Sequence, residues 1–416
     1  MISPRDRQVI RDLAQEYADI AAQPVQQERR DLWRAHNSLR TDRPLVLATY
    51  GYHNVWCREV FGEETLQCED PFYRAHERML RMAIFHDPIG DDLIAEPWVT
   101  QGASHRTRGG WTGPWGVDAE LQHPGEGGAF KVTGAALKTW DDVARMTVPR
   151  HDIDEEATQR NVERLREVVD GLLAVDVNRG PVLWGFLADI STSLAYLRGL
   201  EQVMVDMYES PEELRNLLAF MRDGILANQQ QAEAAGDLTL TCGHNGQEAY
   251  AEELEEPTPN SGPRARRDLW GFFAAQEFTL ISPAFHDEFL YQYQLPIMER
   301  FGLTHYGCCE DLTRKIDMLR QAENLRSIAV TPVADIARCA EQIGGDYVIS
   351  WRPNPTDMVC AAWDEERIRR IIGEGLRAAR GTNLHLHLKD IETVQGEPTR
   401  LRRWVEVVRS VIDEVW

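Results

Sequence analysis

The stretch LTHYGCCEDLTRKIDMLRQAENLRSIAVTPVADIARCAEQIGGDYVISW, residues 303–351, decides the fold class. It contains three short β-rich runs, at Leu303–Tyr306, Ser327–Thr331 and Tyr347–Trp351. Segments of helical spacing lie between them, and the second ends at Gly344, where a C-cap glycine belongs. Strands that alternate with helices predict a parallel sheet, because each helix returns the chain to the same edge.

The same alternation extends outward from this stretch in both directions. The further strand candidates are Pro44–Tyr50, Pro181–Phe186, Leu238–Cys242 and Asn383–Leu388. With one strand unplaced, these runs favour a (β/α)₈ TIM barrel, and a doubly wound sheet is the alternative. No glycine-rich nucleotide-binding motif supports that alternative.

We therefore predict a helical extension over residues 1–40 and a single barrel domain over residues 41–416. Ser210-Pro211-Glu212-Glu213 predicts a helix that starts with a capping box. Two stretches rich in glycine, proline or charge, Arg108–Phe130 and Leu254–Arg267, are predicted to be long loops. Such loops often line the mouth of a barrel, and they can equally be surface excursions without a function.

The composition is that of an ordinary globular protein with an acidic surface. The 416 residues include 45 Lys and Arg against 67 Asp and Glu, which gives a formal net charge of −22. This charge repels phosphate backbones, so we expect no nucleic-acid partner. No apolar run approaches the length of a membrane span, so we expect no membrane partner and a cytoplasmic location. The seven scattered cysteines are expected to be free thiols.

Reactive side chains are densest where the strand candidate Leu303–Tyr306 ends. His305 is followed closely by Cys308 and Cys309, and active sites of barrels are built at the carboxyl ends of strands. Imidazole and thiolate are the ligands that zinc prefers. The alternative is structural, because buried cysteine often acts as a small hydrophobic residue.

The last strand candidate carries two histidines among leucines, in the order Leu384-His385-Leu386-His387-Leu388. Strand side chains alternate between two faces, so both imidazoles lie on one side and the leucines on the other. We predict that the leucines meet the outer helices and that the histidines face the interior. There they either bind a metal or form a pair of hydrogen-bonded polar side chains.

Two carboxylates also occupy positions suited to catalysis. Glu277 is an acid in an apolar stretch, and Asp189 follows the candidate strand Pro181–Phe186. A buried carboxylate needs a partner or an altered pKa, which is how general acids and bases arise. Each is equally compatible with a loop or capping position. His53 and His244 lie at similar positions, and we assign them no role.

The order of motifs resembles the uroporphyrinogen decarboxylase superfamily, nearest its zinc- and corrinoid-dependent methyltransferases. The resemblance covers about residues 180–400. It rests on Leu197–Glu201, Met207–Glu212, Ser282-Pro283 with Tyr291, Tyr293 and Pro296, and the stretches CCEDLTRKIDML, IAVTPVADI and LKDIETV. The resemblance implies a (β/α)₈ barrel that moves a methyl group between a corrinoid, carried by a partner protein, and a small molecule. In the better-known members that molecule is a thiol.

The resemblance also implies a zinc site, with some departures in this chain. His305 matches the family's histidine, the thiols are delayed to Cys308 and Cys309, and His385 and His387 stand where the family has a late cysteine. Cys309 is favoured as the thiol ligand because it matches the family's GCCE element. Glu277, Asp189 and His387 are the candidate catalytic groups.

Two other classes of function remain open at this point. One is a metal-dependent lyase, hydrolase or decarboxylase that acts on a small polar metabolite on the same barrel. The chain has no counterpart of the N-terminal arginine-rich motif of true uroporphyrinogen decarboxylases, which argues against that particular activity. The other class is a binding protein that has lost catalysis and binds no metal.

Overall fold

The computed structural model describes residues 2–41, 43–50, 59–107, 109–122, 131–243 and 248–416. In these residues eight parallel strands lie in two sheets. A six-stranded sheet has the order β1-β10-β9-β8-β7-β6, and a separate sheet pairs β2 with β5. The strands are β1 Leu45–Tyr50, β2 Trp98–Gly102, β5 Ala174–Asn178, β6 Trp270–Phe273, β7 Leu303–Tyr306, β8 Leu325–Val330, β9 Val348–Trp351 and β10 Asn383–Ile391.

A short antiparallel hairpin and a series of helices complete the described structure. The hairpin pairs β3 Glu120–Gln122 with β4 Lys131–Gly134, inside and just beyond the predicted loop 108–130. The helices are α1 Pro4–Ala21, α2 Pro24–Asn37, α3 Pro71–His86, α4 Glu155–Val169, α5 Ser191–Arg198, α6 Leu200–Glu209, α7 Pro211–Ala235, α8 Pro283–His286, α9 Gln292–Met298, α10 Ile316–Leu319, α11 Ile336–Ile343, α12 Glu365–Ala378 and α13 Thr399–Val415. None of these helices has both the length and the apolar character needed to span a bilayer.

The mixed α/β class with a parallel sheet is confirmed, but backbone pairing among the described residues does not close a ring. The edge of β1 that faces away from β10 is covered by a loop. Asp92 accepts a hydrogen bond from Val46 N, and Asp91 accepts one from Ala48 N, each at 2.8 Å. Both carboxylates are buried. Side-chain acceptors therefore satisfy this edge where a closed barrel would place another strand.

Two of the predicted strands are wrong. Leu240–Cys242 forms a 3₁₀ turn, held by Thr239, whose side chain and backbone contact the Cys242 thiol. In Pro181–Phe186 only a 3₁₀ turn begins, at Gly185. Both segments are rich in residues typical of strands because their side chains pack against the core. Such packing favours apolar residues in turns as well as in strands. Strands β2, β5 and β6 and the two strands of the hairpin were not predicted from the sequence.

The capping box predicted at Ser210 is also wrong. Helix α7 begins at Pro211 as expected, but the Ser210 side chain makes no capping hydrogen bond. The preceding helix α6 ends at Glu209, so the Ser210 N–H bonds back to Asp206 O at 3.0 Å. Ser210 thus ends one helix and begins the next, and proline sets the first turn of α7.

The alternation predicted for β10 is confirmed. Leu384, Leu386 and Leu388 belong to the main hydrophobic core, which they share with residues of α12 and α13. His385 and His387 lie on the opposite, inner face, where they pair in register with Leu45 and Leu47 of β1. Helix α2 packs against the same face, because the ring edge of Trp33 contacts His385 at a centroid distance of 5.2 Å.

A matched pair of glycines in α12 tests this packing. A Cβ on Gly375 would lie 2.2 Å from the buried Trp351 ring, whereas a Cβ on Gly373 would meet only ordinary contacts from 3.5 Å outward. We expect Gly375→Ala to lower the free energy of unfolding by about 1–3 kcal/mol through overpacking. Gly373→Ala should raise it by about 0.5–1 kcal/mol through helix propensity. Urea denaturation measures both, and equal effects would contradict the packing described.

Candidate functional site

The polar cluster at the strand ends consists of His305, Cys308, Glu310, Arg352 and Lys389, and we call it the strand-end cluster. It forms because β7, β9 and β10 are neighbours or near neighbours in one parallel sheet. Gly307 makes the turn out of β7 at a φ of 110°, and a Cβ there would lie 2.9 Å from Ala329 Cβ. Only glycine fits this turn without strain, and the turn positions the two cysteines.

The Cys308 thiol is the most activated side chain of the cluster. Its Sγ lies 3.5 Å from Lys389 Nζ and 3.5 Å from Cys309 Sγ, and the Arg352 guanidinium donates to the Cys308 carbonyl. The hydrogen bond from the Cys309 thiol and the charges of Lys389 and Arg352 lower the pKa of Cys308 against the opposing effect of burial. The pKa of Cys309 moves upward for the complementary reason.

Glu310 holds the turn after β7 in place. Its carboxylate accepts hydrogen bonds from Ala275 N at 2.7 Å, Cys308 N at 2.8 Å and Cys309 N at 2.9 Å. The side chain is fully buried. It therefore ties the residues that follow β6 to the turn that follows β7, through three charge-assisted hydrogen bonds.

The five predicted metal ligands are not assembled as a metal site. Among the described residues no group of three or more His, Cys, Asp or Glu side chains is placed to hold an ion. His305 donates from Nε2 to Gly307 O at 2.9 Å, and its Nδ1 accepts from Ser327 Oγ at 3.0 Å, so both ring nitrogens are engaged. Arg352 Nη2 lies 3.3 Å from His305 Nε2, and a guanidinium disfavours a second cation there. The arrangement does not fit zinc at His305.

His385 and His387 have separate surroundings, although their ring centroids are only 6.4 Å apart. His385 Nδ1 lies 3.0 Å from His36 Nε2 of α2. His387 Nε2 lies 2.7 Å from Thr49 Oγ1 at the end of β1. Burial lowers the pKa of all three histidines, that of His36 to about 3. The lowered pKa values favour the neutral form of all three rings at physiological pH.

These histidines make stability depend on pH in a defined direction. A group with a lowered folded-state pKa stabilises the fold above its unfolded pKa, about 6.5 for histidine, and loses that contribution as pH falls. Wild type loses this contribution as the pH falls, whereas His36→Gln has none to lose. We therefore expect the difference in free energy of unfolding between the two proteins to shrink by about 1.4 kcal/mol per pH unit as the pH falls from about 6 to 4.5. Urea denaturation across this range measures that difference. Parallel stability curves for the two proteins would contradict a neutral buried His36.

Two further acids form a second group: Asp189 is buried and lies just before α5, and Glu277 is partly buried and follows β6. Burial raises the pKa of Asp189 well above its ordinary value, and the nearby Glu277 charge adds to the effect. Burial also raises the pKa of Glu277, whose Oε2 accepts from Ser191 Oγ at 2.8 Å. Ile190, between Asp189 and Ser191, has a φ of 65°, a strained value for a β-branched residue.

The structure thus brings some predicted site residues together and separates others. Cys308 and Cys309 are adjacent at the strand ends, but Cys309 is exposed and Cys308 is the buried, activated thiol. Asp189 and Glu277 form a pair of their own. His53, Cys57 and His244 lie outside the described residues. The sequence alone assigned no role to Arg352, Glu310 or Lys389.

Comparisons with known proteins give similarity to solved structures and no sequence family. No protein-family model matches the chain, and no curated protein matches it. A solved structure described as a methyltransferase from Methanosarcina mazei is similar, with a TM-score of 0.51 and 13% sequence identity. The alignment covers 93% of this chain and 98% of that chain. At this identity the likeness is one of fold, and it extends over nearly the whole length of both proteins.

Proposed function

We propose that the chain is a methyltransferase on an interrupted (β/α)₈ barrel, with Cys308 at its reaction centre. The observation that carries this proposal is the Cys308 thiol beside Lys389 and Arg352 at the carboxyl ends of the strands. The likeness in fold to a protein described as a methyltransferase supports the reaction class. The resemblance to corrinoid-dependent methyltransferases points the same way.

The proposed chemistry uses the chain's own thiolate where relatives bind a substrate thiol. Cys308 Sγ attacks the methyl carbon of a methylated small molecule, the S–C bond forms, and the leaving atom departs with its bonding pair. Lys389 and Arg352 hold the thiolate form before attack and favour its return when the methyl group moves on. A reduced corrinoid on a partner protein would supply the nucleophile that accepts the methyl group.

Zinc and the identity of the small molecule stay predictions from the resemblance. Both ring nitrogens of His305 are hydrogen-bonded, so we do not use His305 as a zinc ligand. No proposed step uses a metal. We assign His305 a positioning role instead. Its ring bonds to Gly307 O and contacts the Arg352 guanidinium, so it orders the turn and the arginine next to Cys308.

A second candidate function rests on the two acids Asp189 and Glu277. Asp189 and Glu277 have raised pKa values, and Glu277 lines a cavity of about 650 Å³ with Tyr196, Gly199 and Gln202. A carboxyl group with a raised pKa beside a cavity suits a general acid in a lyase or hydrolase. In that case Glu277→Gln would abolish turnover and Cys308→Ser would not.

A screen of methylated donors tests the proposal. Purified protein is mixed with reduced cobalamin and a panel of isotopically labelled methylamines, methyl ethers and methyl thioethers. We expect at least one donor to lose its methyl group, with methylcobalamin formed in equal amount. Protein-dependent cleavage of another bond in the same molecules, without methyl transfer, would favour the acid pair and contradict the proposal.

A further inference from the structure

The thiols of Cys308 and Cys309 are in contact in the turn that follows β7. Their sulfur atoms lie 3.5 Å apart, and neither cysteine is in a disulfide. The turn keeps the two residues in this arrangement, because the N–H groups of both donate to the same oxygen of Glu310, at 2.8 and 2.9 Å. Two thiols that the backbone holds in contact can react with each other once one of them is oxidised.

Cys308 is the sulfur that reacts first with an oxidant. Lys389 Nζ lies 3.5 Å from its Sγ, and the Arg352 guanidinium donates to its carbonyl oxygen. Both positive charges favour the thiolate, which is the form of cysteine that attacks a peroxide. Cys308 is buried whereas Cys309 is exposed, so an oxidant that reaches the thiolate must be small. A hydroperoxide meets this requirement.

The other described cysteines lack this combination of nearby charge and a partner thiol. They lie on separate segments of the chain, and burial raises the pKa of each thiol, namely those of Cys68, Cys242, Cys339 and Cys360. A raised pKa keeps a thiol protonated and unreactive at neutral pH. Among the described cysteines, oxidation at low peroxide concentration should therefore be confined to Cys308 and Cys309.

The covalent geometry of neighbouring residues makes a bridge between these two thiols easy to reverse. Consecutive Cα atoms are about 3.8 Å apart, whereas the two Cα atoms of an ordinary disulfide are about 4.4–6.8 Å apart. A bridge between Cys308 and Cys309 is therefore strained, and strained disulfides are readily reduced. Such a bridge suits a reversible modification rather than a permanent link.

We propose that Cys308 and Cys309 form an oxidation site at which a hydroperoxide converts the two thiols into a reversible disulfide. The Cys308 thiolate attacks one oxygen of hydrogen peroxide, so that the S–O bond forms, the O–O bond breaks and hydroxide leaves. Cys309 Sγ then attacks the sulfenic acid. The S–S bond forms, the S–O bond breaks, and the hydroxyl group leaves as water with the proton of the Cys309 thiol. The two sulfurs together lose two electrons and the peroxide gains them, and a dithiol reductant restores both thiols by exchange.

The bridged pair cannot take part in the methyl transfer proposed above, because Cys308 has no thiolate while it is bridged. This consequence rests on the proposed function, whereas formation of the bridge depends on the two thiols alone. The bridge also protects Cys308, since a sulfenic acid without a neighbouring thiol is oxidised further to a sulfinic acid that dithiols do not reduce. Cys309 thereby acquires a role as the resolving thiol.

Mass spectrometry of the full-length protein after treatment with hydrogen peroxide tests the inference. Remaining thiols are blocked with iodoacetamide, and the peptide that contains both cysteines is analysed without reductant. We expect this peptide to lack two hydrogen atoms, to carry no blocking group, and to regain both thiols in dithiothreitol. In Cys309→Ser, Cys308 should instead gain two oxygen atoms and resist dithiothreitol. Cys360→Ser is the matched control, in which the bridge should form as in wild type.

Methyl-transfer rates of the same samples separate this inference from the proposed function. We expect the bridged protein to have lost activity and dithiothreitol to restore it. A wild-type pair that forms no bridge would overturn the inference, as would full recovery of the Cys308 thiol in Cys309→Ser by dithiothreitol. Methyl transfer by the untreated protein would leave the proposed function standing in either case. A reversible bridge in a protein that transfers no methyl group, or transfers it equally well when bridged, would support the oxidation site and contradict the proposed function.

Discussion

Replacing Cys308 by serine is expected to lower the rate of methyl transfer by at least about a thousandfold, the scale of losing an attacking nucleophile. A serine hydroxyl stays protonated at neutral pH and cannot act as the nucleophile that a thiolate is. The fold should be retained, because serine is close to cysteine in size. Initial rates with the donor found in the screen measure the effect, and circular dichroism checks the fold.

Cys309→Ser is the matched control for this experiment. Cys309 is exposed and its pKa is raised, so its loss should cost far less activity than the loss of Cys308. Because the Cys309 thiol lowers the pKa of Cys308 by donating a hydrogen bond, Cys309→Ala, which has no donor, should shift the activity–pH profile to higher pH. A larger loss in Cys309→Ser than in Cys308→Ser would restore the assignment made from the GCCE element and contradict ours.

Glu310→Ala is expected to lower the free energy of unfolding by about 3 kcal/mol or more. Three N–H groups lose their acceptor in this variant, the buried ones of Ala275 and Cys308 and the partly buried one of Cys309, and each buried unsatisfied group costs about 1–3 kcal/mol. The turn that presents Cys308 should also loosen, so activity should fall with stability. Urea denaturation measures the first effect and initial rates the second.

Two further variants make this prediction specific. Glu310→Gln keeps one acceptor oxygen and should lose less stability than Glu310→Ala. Glu323→Ala removes an exposed glutamate from the same part of the chain and should change stability by no more than about 0.5 kcal/mol. Similar losses of stability in Glu310→Ala and Glu323→Ala would contradict the role of Glu310 in linking the residues after β6 to the turn after β7.

Features set by periodicity within one element could be predicted from the sequence. The alternation of β10 placed His385 and His387 on the inner face, because a strand has only two faces. The position of His305, Cys308 and Cys309 at the end of β7 followed from a short β-rich run between helices. Cys339 lies on the apolar side of the helical pattern DIARCAEQIGG, and it is fully buried in α11.

Features set by contacts between distant segments could not be predicted. Arg352 meets Cys308 across 44 residues, and Glu310 meets Ala275 across 35, so no local pattern marks either contact. Asp91 and Asp92 resemble an exposed acidic pair in sequence, yet they satisfy the edge of β1. His305 looked like a free metal ligand because the sequence does not reveal that Ser327 and Gly307 engage its ring.

The most direct test is mass spectrometry of the peptide that contains Cys308, taken during a single turnover with labelled donor and no acceptor. We expect one labelled methyl group to appear on Cys308 and to disappear when the acceptor is added. Cys308→Ser should carry no label. Methyl transfer to the acceptor with Cys308 unmodified at every time point would contradict a covalent role for this thiol.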